Sequence, residues 1–316
     1  TPSGTATPSD PFAHPALFYR DDDSYLAGTV PYITDGLTVG EPVAVAVPRT
    51  RLGLLRDALG GHTAHVRMID MEQAGRNPGR IIPRILRAFA DAHPGKRVRI
   101  IGEPIWAGRS HAEYGPCVQH EALINKAFAG RPATILCPYD SGRLDAQVIS
   151  DAHATHPVLI EGAVQRASTQ YAPDRTVAAY NVPLPHPAGS AAFAFGAQLL
   201  PDVRHFALQL AASLGLPEDR REDLAMAVAE LTTNSVIHGG GGGILRLWAE
   251  EGDILCQVED SGRLADPLAG RSLPPPGQPG GRGLVLVNYL TDLVRVHTTS
   301  TGTTIRCHLG GAPVPW

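Results

Sequence analysis

The sequence lacks several features that assign a chain to a functional class directly. Its 316 residues contain no long basic run and carry a net charge of −4, which argues against a nucleic-acid partner or an anionic membrane. No apolar run is long enough to span a bilayer, and the first residues are not a signal peptide. The four cysteines form no CxxC pair, so their spacing predicts neither a disulfide framework nor a zinc site and favours a reducing cytoplasm.

A nucleotide-binding P-loop is also missing, because no GxxxxGK[ST] motif occurs in the first half of the chain. The hydrophobic content of 43% and the charged content of 18% are ordinary for a globular protein. The length favours two domains, and a proline-rich stretch with little helical periodicity separates them. We expect a disordered tail (residues 1–12), a first domain (13–170), a linker (171–190) and a second domain (191–310).

In the first half, short apolar runs alternate with helical segments, which predicts a parallel sheet covered by helices on both faces. The strands are expected at Pro42–Val47, Ala64–Asp70, Lys96–Glu103 and Ala133–Asp140, and a helix is expected at Ile81–Ala92. Ligands of such sheets bind beyond the carboxyl ends of the strands. The side chains expected at those ends are Asp70, Glu103, Trp106, Tyr139 and Asp140.

In the second half, two helices precede a set of short strands, a pattern that predicts an α+β sandwich. The first helix is expected over Leu199–Leu216, with an apolar stripe of Val203, Phe206, Leu210 and Leu214. Behind a glycine-rich entry, Gly281–Asp292 is expected to form a further helix.

A polar stripe stands out on the second of these helices, opposite an apolar face that Met226 and Ile237 are expected to widen. Glu230, Asn234 and His238 follow one another at intervals of four residues, so they lie on one helix face. Five glycines then predict a loop whose backbone approaches a ligand closely. A carboxylate one turn from a carboxamide suits a general base beside a metal ligand, since hard divalent cations prefer oxygen. The alternative is a solvated helix face.

Three later motifs make this pattern more specific. Asp260 ends a strand in VEDSG, where it can accept the exocyclic amine of adenine while Gly262 leaves room for the base. The turn Pro279–Leu284 (PGGRGL) opens a helix, and a helix N-terminus favours phosphate. Thr303, in STGTTI, is expected on a strand that faces the base.

Several histidines of the first half suggest chemistry but are discounted. His120 could be a histidine-kinase phosphoacceptor, yet Gly130 and its neighbours break the helix that a dimerisation hairpin needs. A metal or haem pocket is discounted because no pair of candidate ligands has zinc-site spacing. Those candidates are His111, Cys117, His120, His153 and His156.

The first half resembles the MEDS sensory domain, a family similar to a RecA-type parallel sheet that has lost its ATPase loop. Four segments carry the resemblance, namely the FYRDDD opening, GEPIW (Gly102–Trp106), LCPYD (Leu136–Asp140) and HATHP (His153–Pro157). The family implies a sensor input, with a small-molecule signal as a candidate, and does not identify the ligand.

The second half resembles the GHKL or Bergerat ATP-binding fold, through the order ExxxN, DxG, GxGL and GTT. The resemblance implies ATP and Mg²⁺ as cofactors, with Glu230 as catalytic base and Asn234 as the Mg²⁺ ligand. ELTTNSVIHG is similar to the anti-sigma-factor serine kinases in particular. The further nucleotide-binding residues implied are His238, Asp260, Gly262, Gly281, Arg282, Gly283, Leu284 and Thr303.

Together the two resemblances imply a cytoplasmic bacterial regulator that binds ATP·Mg²⁺ and controls a sigma factor. Its partners would be the sigma factor and an anti-sigma antagonist. Phosphorylation of that antagonist on serine or threonine and formation of a homodimer are left as open alternatives. One departure is the expected lid, LPPPGQPG, whose nearby cations are Arg263, Arg271 and Arg282. The alternatives are a non-catalytic nucleotide-gated switch and an orphan histidine-kinase-like sensor.

Overall fold

A computed structural model describes residues 11–274 and 280–310. The chain divides into two compact units, the first made of Thr1–Met71, Leu86–Gly108 and Glu121–Thr176 and the second of Glu72–Ile85, Arg109–His120 and Val177–Trp316. Residues 1–10 of the expected tail lie outside the described residues. The domain boundaries stay a prediction. Within the described residues, no helix combines the length and the apolar character that crossing a membrane requires.

The first half contains eight strands and seven α-helices within the described residues. In chain order they are β1 (Phe12–Ala13), β2 (Pro15–Tyr19), α1 (Asp22–Thr38), β3 (Val43–Val47), α2 (Arg49–Leu59), β4 (Val66–Asp70), α3 (Met71–Ala74), α4 (Ala88–Asp91), β5 (Val98–Gly102), α5 (His111–Phe128), β6 (Ala133–Asp140), α6 (Ala146–Thr155), β7 (Val158–Glu161), β8 (Val164–Ala167) and α7 (Pro173–Ala179).

The strands of the first unit form one sheet in the order β4-β3-β5-β6-β2-β7-β8, with β1 paired to β6. All described neighbours pair in parallel except β7 and β8. Every residue of β3 is buried, as expected for a strand covered on both faces. Helix α1 begins at a capping box in which the Asp21 side chain accepts from the Ser24 amide. The expected parallel sheet is confirmed.

Two segments differ from their predicted structure. Ile81–Arg87 forms a π-helical segment before α4, where one continuous α-helix was expected. Pro83 lies within it, and a residue without an N–H cannot complete the α-helical hydrogen-bond ladder. Helix α7 lies within the expected linker, which was predicted to have little helical structure. Pro173 occupies the first position of this helix, where proline is compatible with helical structure.

The second half continues with β9 (Ala191–Gly196), α8 (Leu200–Ser213), α9 (Glu218–His238), β10 (Gly242–Glu250), β11 (Asp253–Asp260), α10 (Gly283–Leu290), β12 (Leu293–Thr298) and β13 (Thr303–Leu309). The strands form an antiparallel sheet in the order β12-β13-β11-β10-β9. The hairpin between β10 and β11 turns at Glu251 and Gly252, both with positive φ.

The core of this second unit lies between the helices and one face of the sheet. It combines helix residues such as Val203, Leu224 and Val228 with strand residues such as Leu247 and Cys256. The predicted α+β sandwich is therefore confirmed. The predicted stripes were too wide: the exposed fractions are 38% for Leu214, 42% for Met226 and 65% for Ile237, because these side chains lie off the packed helix faces.

Candidate functional site

The polar stripe of α9 lies opposite the apolar face of the same helix. Leu224, Val228 and Leu231 are buried in the core, which turns the other face outward. Glu230 and Asn234 are half-buried and His238 is exposed. The helix therefore presents a carboxylate, a carboxamide and an imidazole in one row, as its sequence spacing predicts.

The glycines after α9 form a shorter loop than expected. Only residues 239–241 connect α9 to β10, because Gly242 and Gly243 already pair with β9. A Cβ atom on Gly242 would lie 2.2 Å from the Phe195 carbonyl oxygen, so strand packing requires glycine there. Gly240 and Gly241 have positive φ, the conformation that glycine adopts without strain.

Asp260 ends β11 with its carboxylate held at both oxygens. Ser235 Oγ donates a hydrogen bond of 2.7 Å to Oδ2, and the Gly262 amide donates one of 2.9 Å to Oδ1. Each oxygen has a second lone pair, so the oriented carboxylate can still accept from a ligand amine.

The glycines around Asp260 allow backbone segments to approach closely. A Cβ atom on Gly239 would lie 2.5 Å from Asp260 Cγ, and one on Gly262 would lie 2.5 Å from the His238 carbonyl oxygen. Contacts this short cannot be relieved without moving the backbone or the carboxylate. Glycine at these positions brings the end of α9 against the end of β11.

The N-terminus of α10 meets the polar stripe of α9. A Cβ atom on Gly283 would lie 2.5 Å from Glu230 Oε2 and 3.4 Å from Asn234 Nδ2. Gly281 has a φ of +77°, and Arg282 is the N-cap residue. The first N–H groups of a helix lack helical partners and favour an anion, so this corner suits a phosphate.

Thr303 is hydrogen-bonded within the protein, and its position facing the base stays a prediction. Its Oγ1 donates a hydrogen bond of 2.8 Å to the Gly262 carbonyl oxygen and lies 2.9 Å from Thr298 Oγ1. The Leu264 amide donates to Oγ1 of Thr298 (3.0 Å) and of Thr303 (3.2 Å). Thr303 thereby positions the segment that follows Asp260.

A cavity of about 560 Å³ lies between these segments, within the usual range for small-molecule sites. Of the arginines near the expected lid, Arg263 lines the cavity and Arg271 does not. Burial lowers the pKa of Arg271 to about 10. Most of the proline-rich lid, residues 275–279, lies outside the described residues. Glu230 and Arg282 are the predicted residues that do not line the cavity, while those that do are Asn234, His238, Asp260, Gly262, Gly281, Gly283, Leu284 and Thr303.

Sequence reasoning missed two residues that shape this site. Ser235 faces inward from α9 and orients Asp260, and Gly239 leaves space for that carboxylate. Both contacts join α9 to β11 across more than twenty residues, so no local pattern indicates them. The one signal in the sequence is a small polar residue, rather than an apolar one, on the inner face of α9.

The carboxyl edge of the first sheet carries a second group of predicted side chains. Tyr19 donates a hydrogen bond of 2.8 Å to Glu103 Oε1, and the Arg51 guanidinium lies 4.9 Å from the Tyr19 ring centroid. Arg51 also lies 3.5 Å from Asp140, whereas Asp70 pairs separately with Arg49. Burial raises the pKa of Glu103 to about 8, against the opposing effects of Tyr19 and Arg51.

Two family models match different parts of the chain. Residues 13–157 match the MEDS family, described as the methanogen/methylotroph, DcmR sensory domain. Residues 193–309 match the histidine kinase-like ATPase domain. Both family resemblances drawn from the sequence are confirmed.

Among curated proteins, no match was found. Similar solved structures include the RsbU and RsbW domains of Rv1364c from Mycobacterium tuberculosis, with a TM-score of 0.30 and 18% identity over 39% of this chain and 33% of that one. Another is the Acinetobacter baumannii histidine kinase AdeS, with a TM-score of 0.23 and 10% identity over 38% of this chain and 67% of that one. The chain thus spans about a third of the first structure, and neither TM-score supports a functional argument.

Proposed function

We propose that this chain, with its MEDS and histidine kinase-like ATPase domains, is a cytoplasmic signalling regulator that binds ATP·Mg²⁺ and controls a sigma factor as an anti-sigma factor. The observation that carries the proposal is the cavity at which α9, the end of β11 and the start of α10 meet. Its second partner is an anti-sigma antagonist, and the MEDS domain supplies the signal input.

The residues present are compatible with a nucleotide. The Asp260 carboxylate would accept the exocyclic amine of adenine, and the close backbone at Gly262 leaves space beside it. Asn234 offers an amide oxygen, the type of ligand that Mg²⁺ prefers, next to the α10 N-terminus that suits phosphate. Bound ATP·Mg²⁺ would supply the phosphoryl group for transfer.

Glu230 is the proposed general base. It lies one turn from Asn234 and against Gly283, where its carboxylate would accept the hydroxyl proton of a serine or threonine on the antagonist. Phosphoryl transfer depends mainly on positioning and electrostatics, and Arg263 is the arginine that lines the described part of the cavity.

One observation favours a second candidate, a nucleotide-gated switch without catalysis. Glu230 does not itself line the cavity, so the nucleotide contacts of its neighbours serve a binder as well as a kinase. The histidine-kinase alternative receives less support, because the His120 side chain exposes only 1% of its surface. A buried imidazole is not accessible to a γ-phosphate.

The deciding experiment begins with calorimetric titration of the full chain with ATP and ADP in magnesium. Saturable binding of both nucleotides is expected, and no binding of either would remove the proposal. Co-purification from the native cell, with and without ATP, should then identify a sigma factor and an antagonist. Single-turnover transfer from labelled ATP to that antagonist separates the kinase from the switch.

A further inference from the structure

Four side chains with metal-ligand chemistry meet in the interior of the first unit. They are His14, Glu121, Cys137 and His156, and none exposes more than 1% of its surface. One ligand atom from each lies within 4.8 Å of the other three. The residues come from four segments: the junction of β1 and β2, helix α5, strand β6 and the C-cap of α6.

The proton of the His14 ring is located by Asn125. Asn125 Nδ2 donates hydrogen bonds to the carbonyl oxygens of Ala122 (3.1 Å) and Thr155 (2.8 Å), which fixes the orientation of its amide. Its Oδ1 lies 3.1 Å from His14 Nδ1. Because an amide oxygen can only accept, Nδ1 carries the proton. His14 Nε2 therefore presents a lone pair to the cluster.

The His156 ring is fixed in the same way by main-chain contacts. Its Nδ1 lies 2.9 Å from the Ala152 carbonyl oxygen, which can only accept, so this nitrogen also carries the proton. His156 Nε2 then presents a second lone pair, 3.2 Å from Glu121 Oε2. Metal-binding histidines show this arrangement: one ring nitrogen binds the metal, and the N–H of the other donates to an oxygen atom such as a backbone carbonyl.

The cluster consequently contains more acceptors than protons. Two imidazole lone pairs and a carboxylate converge, and the Cys137 thiol contributes one weak donor. Neither oxygen of Glu121 nor Nε2 of His156 makes a hydrogen bond of ordinary geometry to any described residue. A buried polar atom left without a hydrogen-bond partner destabilises the folded state.

We propose that these four side chains form a four-coordinate site for a divalent transition-metal ion of the zinc class. The ligands are Nε2 of His14 and His156, one carboxylate oxygen of Glu121 and Sγ of Cys137. Imidazole and thiolate ligands select zinc and its neighbours over magnesium or calcium. A dication would balance the charges of one carboxylate and one thiolate, so the buried site would be neutral overall.

Three of the six separations between ligand atoms fit such an ion, and the other three are at most 4.8 Å. Glu121 Oε2 lies 3.2 Å from His156 Nε2 and 3.4 Å from His14 Nε2, and Cys137 Sγ lies 3.4 Å from His14 Nε2. Tetrahedral coordination with bonds of about 2.0–2.3 Å places neighbouring ligand atoms roughly 3.3–3.7 Å apart. Cysteine and histidine spacing did not indicate this cluster, because its four members are distant in sequence.

The test uses the full chain, stripped with a chelator and titrated with Co²⁺ under anaerobic conditions. A thiolate-to-cobalt charge-transfer band should appear and saturate at about one equivalent, and Zn²⁺ should displace it. Elemental analysis of the untreated protein should find about one zinc-class ion per chain. If the wild-type protein holds no such ion and gives no band with Co²⁺, the site does not exist.

Variants then identify the ligands. Cys137→Ser should abolish the charge-transfer band, whereas Cys256→Ser, which changes an equally buried cysteine of the second unit, should retain it. Asn125→Leu, which removes the partner of His14 Nδ1, should keep the band while weakening Co²⁺ binding about 10–100-fold. A band that persists in Cys137→Ser would place the metal elsewhere. If Cys137→Ser does not fold, the wild-type titration and Asn125→Leu still decide.

Discussion

The cavity of the second unit and the buried cluster of the first unit differ in their access to solvent. The cavity is open to solvent, and its polar residues stand at the ends of α9, β11 and α10. The cluster is closed, and its four side chains lie among the packed residues of the sheet and its helices. A site at element ends can exchange a ligand during signalling, whereas a closed site holds its ion as part of the fold.

The largest effect expected in either region concerns catalysis at the cavity. Glu230→Gln should lower phosphorylation of an antagonist by roughly 10²–10⁴, the usual contribution of a positioned base, while ATP affinity stays within a few-fold. Glu222→Gln, an exposed carboxylate on the same helix, is the matched control. The measurement is single-turnover transfer from labelled ATP. Transfer that survives Glu230→Gln would contradict the base assignment and favour the switch.

These two regions also differ in how far the sequence predicts them. Glu230, Asn234 and His238 follow helical spacing, and Asp260 and Gly262 lie within one short motif, so local patterns indicate the cavity. The cluster has no such pattern, since Glu121 and Cys137 are positioned by a helix and a strand that only the folded sheet brings beside His14. The parallel sheet and the sandwich were predictable because periodicity is local. The contact of Ser235 with Asp260 was not, because it depends on how α9 packs on β11.

A second buried acid in the first unit provides a pH test. Burial raises the pKa of Glu103 from 4.5 to about 8, so the folded state retains a proton that the unfolded state loses. Its stabilising contribution is complete below about pH 4.5 and is lost as the pH rises through about 8. Over that interval the change is on the order of 3–5 kcal/mol.

Glu103→Gln should remove this pH dependence, because the amide does not ionise. Denaturant unfolding of both proteins from pH 5 to pH 9 measures it, and the difference between them isolates Glu103 from other titrating groups. Glu161→Gln, an exposed carboxylate in the same unit, is the control and should leave the wild-type pH profile unchanged. A Glu103→Gln profile parallel to wild type would mean that Glu103 ionises normally and that Tyr19 and Arg51 offset its burial.

The adenine contact should give a smaller effect. Asp260→Asn should weaken ATP and ADP equally, by roughly 1–3 kcal/mol, because both nucleotides share the base and one acceptor becomes a donor. Asp202→Asn, on the exposed part of α8, controls for the loss of one charge. Calorimetric titration with both nucleotides measures the change. Unchanged affinity for both would remove Asp260 from the site, although it would still position Ser235 and Gly262.

The smallest effect is expected for Asn234, the proposed Mg²⁺ ligand of the cavity. At this site the ion would be shared with the nucleotide, whereas the ligands proposed for the cluster all come from the protein. Asn234→Ala should weaken ATP binding by roughly 1 kcal/mol in magnesium, the usual net value of one polar contact, and by much less in EDTA. The reason is that its interaction with ATP passes through the ion, which EDTA removes. Parallel titrations in the two buffers provide the comparison. Equal losses of ATP affinity in the two buffers would make Asn234 a structural residue of α9. The proposed difference between an ion shared with the nucleotide and an ion held by the protein alone would then have no support at the cavity.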